Sequence, residues 1–151
     1  MEETTLIYLE RDGKYLMLHR IKKEHDINHG KWIGIGGHLE AGESAEECIR
    51  RETLEETGFV LGRIEKLGVV DFHYDEVYER VHVFHSSDFT GEQIECNEGV
   101  TQWTPVREVL NLNLWEGDRL FLPKVMEGKN GWGMELVYEG DALISAKDME
   151  I

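Results

Sequence analysis

Residues 4–10 and 14–19 are short runs of β-branched, aromatic and aliphatic side chains, separated by Arg11-Asp12-Gly13. An Asp-Gly pair between two apolar runs predicts an antiparallel hairpin. Residues 21–30 are polar and read as a loop, and 31–35 as a further short strand. Residues 44–57 carry helix punctuation at both ends. Ser44 followed three positions later by Glu47 forms a capping box, and Gly58 stands where a left-handed residue would end the helix. Strand patterns recur at 64–74, 77–86, 99–103 and 132–138, with an extended tail at 142–146. Thr104-Pro105 predicts an N-cap and N1 proline opening a short helix to about residue 110. A last helix near 119–127 contains Pro123, which predicts a kink or a late start. No repeat, low-complexity stretch or Pro/Ser-rich linker interrupts this pattern. The expectation is one α+β domain over residues 1–151, not a doubly wound sheet.

The helical segment has an unusual face. At 100° per residue, Ala45, Cys48 and Ile49 define an apolar stripe. Glu52 and Glu56 fall on that stripe and Glu55 borders it, so the three carboxylates converge at i, i+3 and i+4. Glu46 with Arg50, and Glu47 with Arg51, are favourable i,i+4 pairs, whereas Glu52 and Glu56 form a like-charge pair directed inward. Partly buried like charges must protonate or share a cation. Oxygen-only ligands on one rigid helix suit a hard ion, Mg²⁺ or Mn²⁺. Just before the helix lie Gly34-Ile35-Gly36-Gly37 and then Gly42-Glu43, where the chain can approach a ligand closely. Loop and helix together point to a divalent-metal site.

Charge narrows the possible partners. Lys and Arg number 16 against 31 Asp and Glu, a net charge of −15. Such a field repels nucleic-acid backbones and argues against a DNA- or RNA-binding module. A small anionic substrate remains allowed where cations are supplied locally. Cys48 and Cys96 are isolated, with no C-x-x-C, which argues against a zinc ribbon or redox dithiol and for a reducing compartment. The first residues lack the basic stretch and apolar run of a signal peptide, and no stretch approaches the ~18 apolar residues of a membrane span. A cytoplasmic protein is expected, monomer or homodimer being left open. His82 and His85 lie three apart in a strand and project to opposite faces, so they cannot share a metal there. Cys48 reads as a small buried hydrophobe. The acidic run at 75–79 reads as a solvated turn.

The segment Gly37-His38-Leu39-Glu40-Ala41-Gly42-Glu43-Ser44-Ala45-Glu46-Glu47-Cys48-Ile49-Arg50-Arg51-Glu52-Thr53-Leu54-Glu55-Glu56-Thr57-Gly58-Phe59 resembles the Nudix box, G-x5-E-x7-R-E-U-x-E-E-x-G-U with U a bulky aliphatic residue. Gly37, Glu43, Arg51, Glu52, Glu55, Glu56 and Gly58 match, while Thr53 and Phe59 depart at two U positions. The resemblance implies an α/β/α sandwich around a central mixed sheet, and hydrolysis of a nucleoside diphosphate linked to another group. It also implies that Glu52, Glu55 and Glu56 hold Mg²⁺ with the carbonyl of Gly36. Arg51 would orient the glutamates, and Glu43 would brace the loop–helix turn. Glu52 is the preferred general base, with Glu98 a further carboxylate at the metal. Glu56 and Glu98 stay open as alternatives for the base.

Outside the box, Gly30-Lys31-Trp32-Ile33-Gly34-Ile35-Gly36-Gly37, Asn97-Glu98-Gly99-Val100-Thr101-Gln102-Trp103 and Leu114-Trp115-Glu116-Gly117-Asp118 are similar to the MutT-type diphosphatases that sanitise oxidised purine nucleotides. The likeness implies cleavage of 8-oxo-dGTP to the monophosphate and pyrophosphate. Trp115 would stack on the purine, Asp118 would hydrogen-bond its edge and Phe72 would add an apolar wall. Arg20 or Lys23 would contact the phosphates, and Gly36, Gly37 and His38 would also bind the substrate. Ile33 stands where vertebrate relatives carry a base-reading Asn, Gly117 replaces one of two adjacent acidic residues, and His38 replaces a frequent Lys. The alternatives are another Nudix substrate (ADP-ribose, a nucleotide sugar or a dinucleoside polyphosphate) or a nucleotide-sensing domain without catalysis. The intact box disfavours the last.

Overall fold

A computed structural model describes residues 1–22 and 25–151. The hairpin forms as predicted between β1 (Glu2–Arg11) and β2 (Lys14–His19). Its turn residues Asp12 and Gly13 have φ of 54° and 72°, the left-handed pair that a two-residue hairpin requires. Beyond Glu10↔Tyr15 the two strands part, and the chain from Trp32 to His38 enters between them. β3 (Trp32–Ile33) pairs with β2, while Ile35 and His38 bridge to Ile7 and Thr4 of β1. The strand expected over 31–35 is therefore shared between two partners. Gly36 permits the second of these contacts, since a Cβ there would lie 1.8 Å from the Thr5 carbonyl oxygen.

The chain continues through α1 (Ala45–Thr57), β4 (Val60–Leu61), β5 (Glu65–Tyr74), β6 (Val77–Ser86), β7 (Phe89–Thr90) and β8 (Val100–Pro105). A 3₁₀ helix (Val106–Asn111), α2 (Asp118–Met126), β9 (Trp132–Glu139) and β10 (Ala142–Met149) complete it. The main sheet runs β10-β9-β5-β6-β1-β2-β3, with β8 on the other edge of β2. β1 with β6, and β5 with β9, are parallel, and the remaining pairs in it are antiparallel. Period-two alternation sorts side chains to its two faces. Ile7 and Leu9 of β1 join Ile49 of α1 on one side, whereas Tyr8 joins Phe121, Leu122 and Val125 of α2 on the other. This is the expected α/β/α sandwich around a mixed sheet.

Both ends of α1 match the sequence. The Ser44 hydroxyl accepts the Glu47 N–H at 3.1 Å, and the Glu47 carboxylate accepts the Ser44 N–H at 2.9 Å. Gly58 closes the helix at φ 81°. Such a cap stabilises a helix by about 1 kcal/mol.

Thr104-Pro105 does not open a helix. Both are held extended by pairing with Tyr15 and Lys14, so the 3₁₀ turn starts one residue later without a side-chain cap. α2 starts at Asp118 and contains Pro123, so the proline does not delay it. β10 reaches Met149, further than the tail expected at 142–146, because it pairs with β9 as far as Met149↔Gly133. Glu79, placed in a solvated turn by its sequence, instead belongs to β6 and is half-buried. The β4–β7 ribbon is too short to have left a pattern. Among the described residues, no helix is long and apolar enough to cross a membrane.

Candidate functional site

The loop before α1 is fastened to β1 and to the helix. The Gly37 carbonyl accepts the Thr5 N–H at 2.9 Å and faces the Thr5 hydroxyl and the Cys48 thiol. Cys48 is fully buried, and that burial raises its pKa, as befits a packing residue rather than a nucleophile. Gly37 also lies against Glu52, where a Cβ would come within 2.5 Å of the carboxyl carbon. Any side chain at 37 would therefore move that carboxylate.

Arg51 organises the acidic face. Its Nε and Nη2 donate to the two oxygens of Glu43 at 2.7 and 2.9 Å. Nη1 donates to Glu52 at 2.8 Å and to Glu55 at 3.2 Å. Two-point bonding to a guanidinium favours the ionised carboxylate, and Arg51 holds Glu43 down to about 2. Glu43 further accepts the Glu40 N–H at 2.9 Å, which ties the turn before the helix. The expected pair of Glu47 with Arg51 does not form. Glu47 is committed to the helix cap, and Arg51 turns to Glu43, Glu52 and Glu55. Arg50 does approach Glu46, at 3.6 Å.

Behind this network the carboxylates crowd. Glu56 is 6% exposed, and its Oε2 has no hydrogen-bond partner. Burial pushes its carboxyl up to about 10, helped by Glu98 and Glu52 beside it and opposed by Arg20. Burial raises Glu52 as well. Carboxylate-only donors, a buried orphan oxygen and mutual repulsion fit a hard divalent cation. Glu55 differs from the rest of the set: its side chain is 57% exposed and turned to Arg51. Among the described residues, the group whose ligand-type atoms all lie within 4.8 Å of one another is a different one, Glu2, His38 and Glu79. It is largely exposed and is accounted for by His38 pairing with two carboxylates, at 3.3 and 3.9 Å.

A cavity of about 320 Å³ begins at Glu52, Glu98, Gly36, Gly37 and His38 and extends over β1, β5 and β6. Its other lining includes Leu6, Ile33, Phe72, Trp115 and Asp118. Trp115 is only 3% exposed. Phe72, Tyr74 and Tyr138 meet it edge-to-face at 5.0–5.5 Å, and the Lys31 ammonium lies 5.1 Å from its ring centroid. Asp118, 9% exposed at the first turn of α2, makes no side-chain cap bond. Burial pushes its carboxyl up to about 7, with Lys31 and Arg119 opposing. At position 117 a Cβ would lie 2.4 Å from a Leu136 methyl and 2.7 Å from the Tyr138 hydroxyl, so a larger residue would have to displace those side chains.

The structure thus brings Gly36, Gly37, His38, Glu52, Phe72, Glu98, Trp115 and Asp118 to one cavity, with Glu56 buried beside it. Arg20 lines it too, yet Asp26 and Glu98 take its guanidinium at 2.7 and 3.0 Å, so it serves the carboxylates first. Lys23 lies outside the described residues. His82 and His85 bond separate carboxylates, Glu3 and Glu10 with Glu65, away from the cavity. Asn28 was missed by the sequence. Nothing in the polar stretch 21–30 signalled that its side chain would reach the cavity and accept the Trp115 indole N–H at 2.7 Å.

A buried carboxylate cluster on a capped helix thus opens into a cavity with an aromatic wall, a donor set that fits a divalent cation beside space for a flat ring. The NUDIX domain profile matches residues 3–125. The oxidized purine nucleoside triphosphate hydrolase of Danio rerio is 29% identical over 149 residues, covering 97% of this chain and 94% of that protein. The uncharacterized Nudix hydrolase YvcI of Bacillus subtilis is 30% identical, covering 85% and 82%. The crystal structure of a mutator MutT protein from Bacillus halodurans superimposes with a TM-score of 0.87 at 26% identity, covering 98% and 97%. The chain belongs to the NUDIX domain family and is a hydrolase acting on phosphoric anhydrides.

Proposed function

We propose that the protein is a Mg²⁺-dependent pyrophosphohydrolase that converts oxidised purine nucleoside triphosphates, 8-oxo-dGTP foremost, to the monophosphate and pyrophosphate. The observation that carries this reading is the composition of the cavity, which joins Glu52 and Glu98 to Trp115, Phe72 and Asp118 in one continuous space. The name of the Danio rerio relative supports the same substrate class. Two unpaired cysteines, both buried, agree with a reducing cytoplasm.

Glu52, Glu55, Glu56 and Glu98, with the Gly36 carbonyl, would hold Mg²⁺. When bound, Mg²⁺ would neutralise phosphate charge and ease deprotonation of a water at the site. The chain's own groups do the rest. Arg51 keeps Glu52 in place through its 2.8 Å bond, and Glu43 fixes Arg51 from the other side. Glu52 takes the proton of the attacking water. Trp115 and Phe72 hold the base, Asp118 binds its edge, and Gly36, Gly37 and His38 flank the phosphates. Lys23 and the remaining N–H donors of Arg20 would counter phosphate charge.

The test is kcat/KM with Mg²⁺ for 8-oxo-dGTP, dGTP, ADP-ribose and a diadenosine polyphosphate, with products identified. Preference for 8-oxo-dGTP with pyrophosphate released is expected. A best rate on ADP-ribose, yielding AMP, would keep the hydrolase and overturn this substrate. Tight nucleotide binding with no turnover would point to a sensing domain.

A further inference from the structure

Two polar side chains flank Trp115 in the cavity, and their chemistries differ. Asp118 follows it on α2, with its N–H on the Trp115 carbonyl at 3.0 Å. Among the described residues, nothing hydrogen-bonds its carboxyl oxygens. Asn28 faces the indole nitrogen from the loop between β2 and β3. An indole N–H can only donate, so the Asn28 atom at 2.7 Å must be the carbonyl oxygen Oδ1. The amide nitrogen Nδ2 is therefore turned away from Trp115, and no described residue accepts from it.

Asn28 is also held in place. Its N–H donates to the Asp26 carboxylate at 3.1 Å, its carbonyl accepts the Lys31 N–H at 2.8 Å, and Asp26 is itself clamped by Arg20 at 2.7 Å. The cavity thus carries a positioned N–H donor on one flank of Trp115 and a carboxyl group on the other. Ile33, also in the wall, offers neither. A 6-oxopurine presents an acceptor at O6 beside a donor at N1–H. A 6-aminopurine presents the reverse, a donor at N6 beside an acceptor at N1.

We propose that Asn28 Nδ2 is a specificity determinant that donates to the 6-oxygen of the base, with Trp115 fixing which end of the amide faces it. This rests on the purine triphosphate reading above. Asn28 is a binding residue here and takes no part in the hydrolytic step.

Asn28→Asp keeps an acceptor for the indole N–H and replaces the donor with an acceptor. Asn28→Ala removes both. The measurement is kcat/KM for 8-oxo-dGTP and 8-oxo-dATP in wild type and both variants, with Trp fluorescence of each free protein. The wild type should favour the 6-oxo substrate. Both variants should lower the 6-oxo/6-amino ratio by about 10- to 100-fold, the cost of a buried group left facing a mismatched partner. Asn28→Asp should do so with wild-type fluorescence, which separates base reading from the support of Trp115. An unchanged ratio in both variants, with the wild type still preferring 8-oxo-dGTP, would overturn the role of Asn28 and leave the substrate reading standing. A wild type that cleaves neither purine triphosphate would overturn both.

Discussion

The two ends of the cavity are built on opposite electrostatic plans. At the α1 end, charges are numerous and mutually held. Arg51 alone spans Glu43, Glu52 and Glu55, while Glu56 sits buried with an orphan oxygen. At the α2 end, aromatic edges surround Trp115, and polar groups are sparse and individually placed. The first arrangement suits chemistry on phosphates, where charge must be balanced within a few ångströms. The second suits selection of a flat ring, where one misplaced hydrogen bond is costly. The proposed roles thus place rate and choice in separate regions.

That division can be broken most severely at Glu52. Glu52→Gln should lower kcat roughly 1000-fold, as loss of a general base does, while KM changes little. A mere few-fold loss would transfer the role to Glu56 or Glu98. At the other end, Asp118 makes stability depend on pH. Its folded pKa of about 7 lies above the ordinary 3.8, so the folded state holds the proton more tightly. The associated stability is fully present below the unfolded pKa and is lost as pH rises through about 7. The loss is on the order of 4 kcal/mol, and Asp118→Asn should flatten the slope in urea unfolding between pH 4 and 8.

Smaller effects sharpen the contrast. Gly37→Ala forces a Cβ to 2.5 Å from the Glu52 carboxyl carbon, so kcat should fall by about 10- to 100-fold while Tm drops only a few degrees. Glu55→Gln, exposed and turned to Arg51, should cost only about 2- to 5-fold in kcat, measured at saturating Mg²⁺.

The α1 end was legible because its partners are close in sequence. A capping box, a terminal glycine and carboxylates at i, i+3 and i+4 specify a helix face without tertiary information. One local pairing failed, Glu47 with Arg51, because helix capping and Glu43 outcompeted it. The α2 end depends on contacts that spacing does not encode. Asn28 meets Trp115 across 87 positions, and Gly117 is fixed by Tyr138 on a later strand. The splitting of β1 from β2 was hidden for the same reason. It takes Gly36 packed on the Thr5 carbonyl to let residues 32–38 enter the sheet.

The most direct test is the ratio of kcat/KM for 8-oxo-dGTP over dGTP, measured in wild type and in Glu52→Gln with Mg²⁺. A ratio well above one that survives in the variant, with both rates reduced together, is the expected result. A wild-type ratio near one, or a ratio that collapses with Glu52→Gln, would contradict the separation of chemistry from base selection.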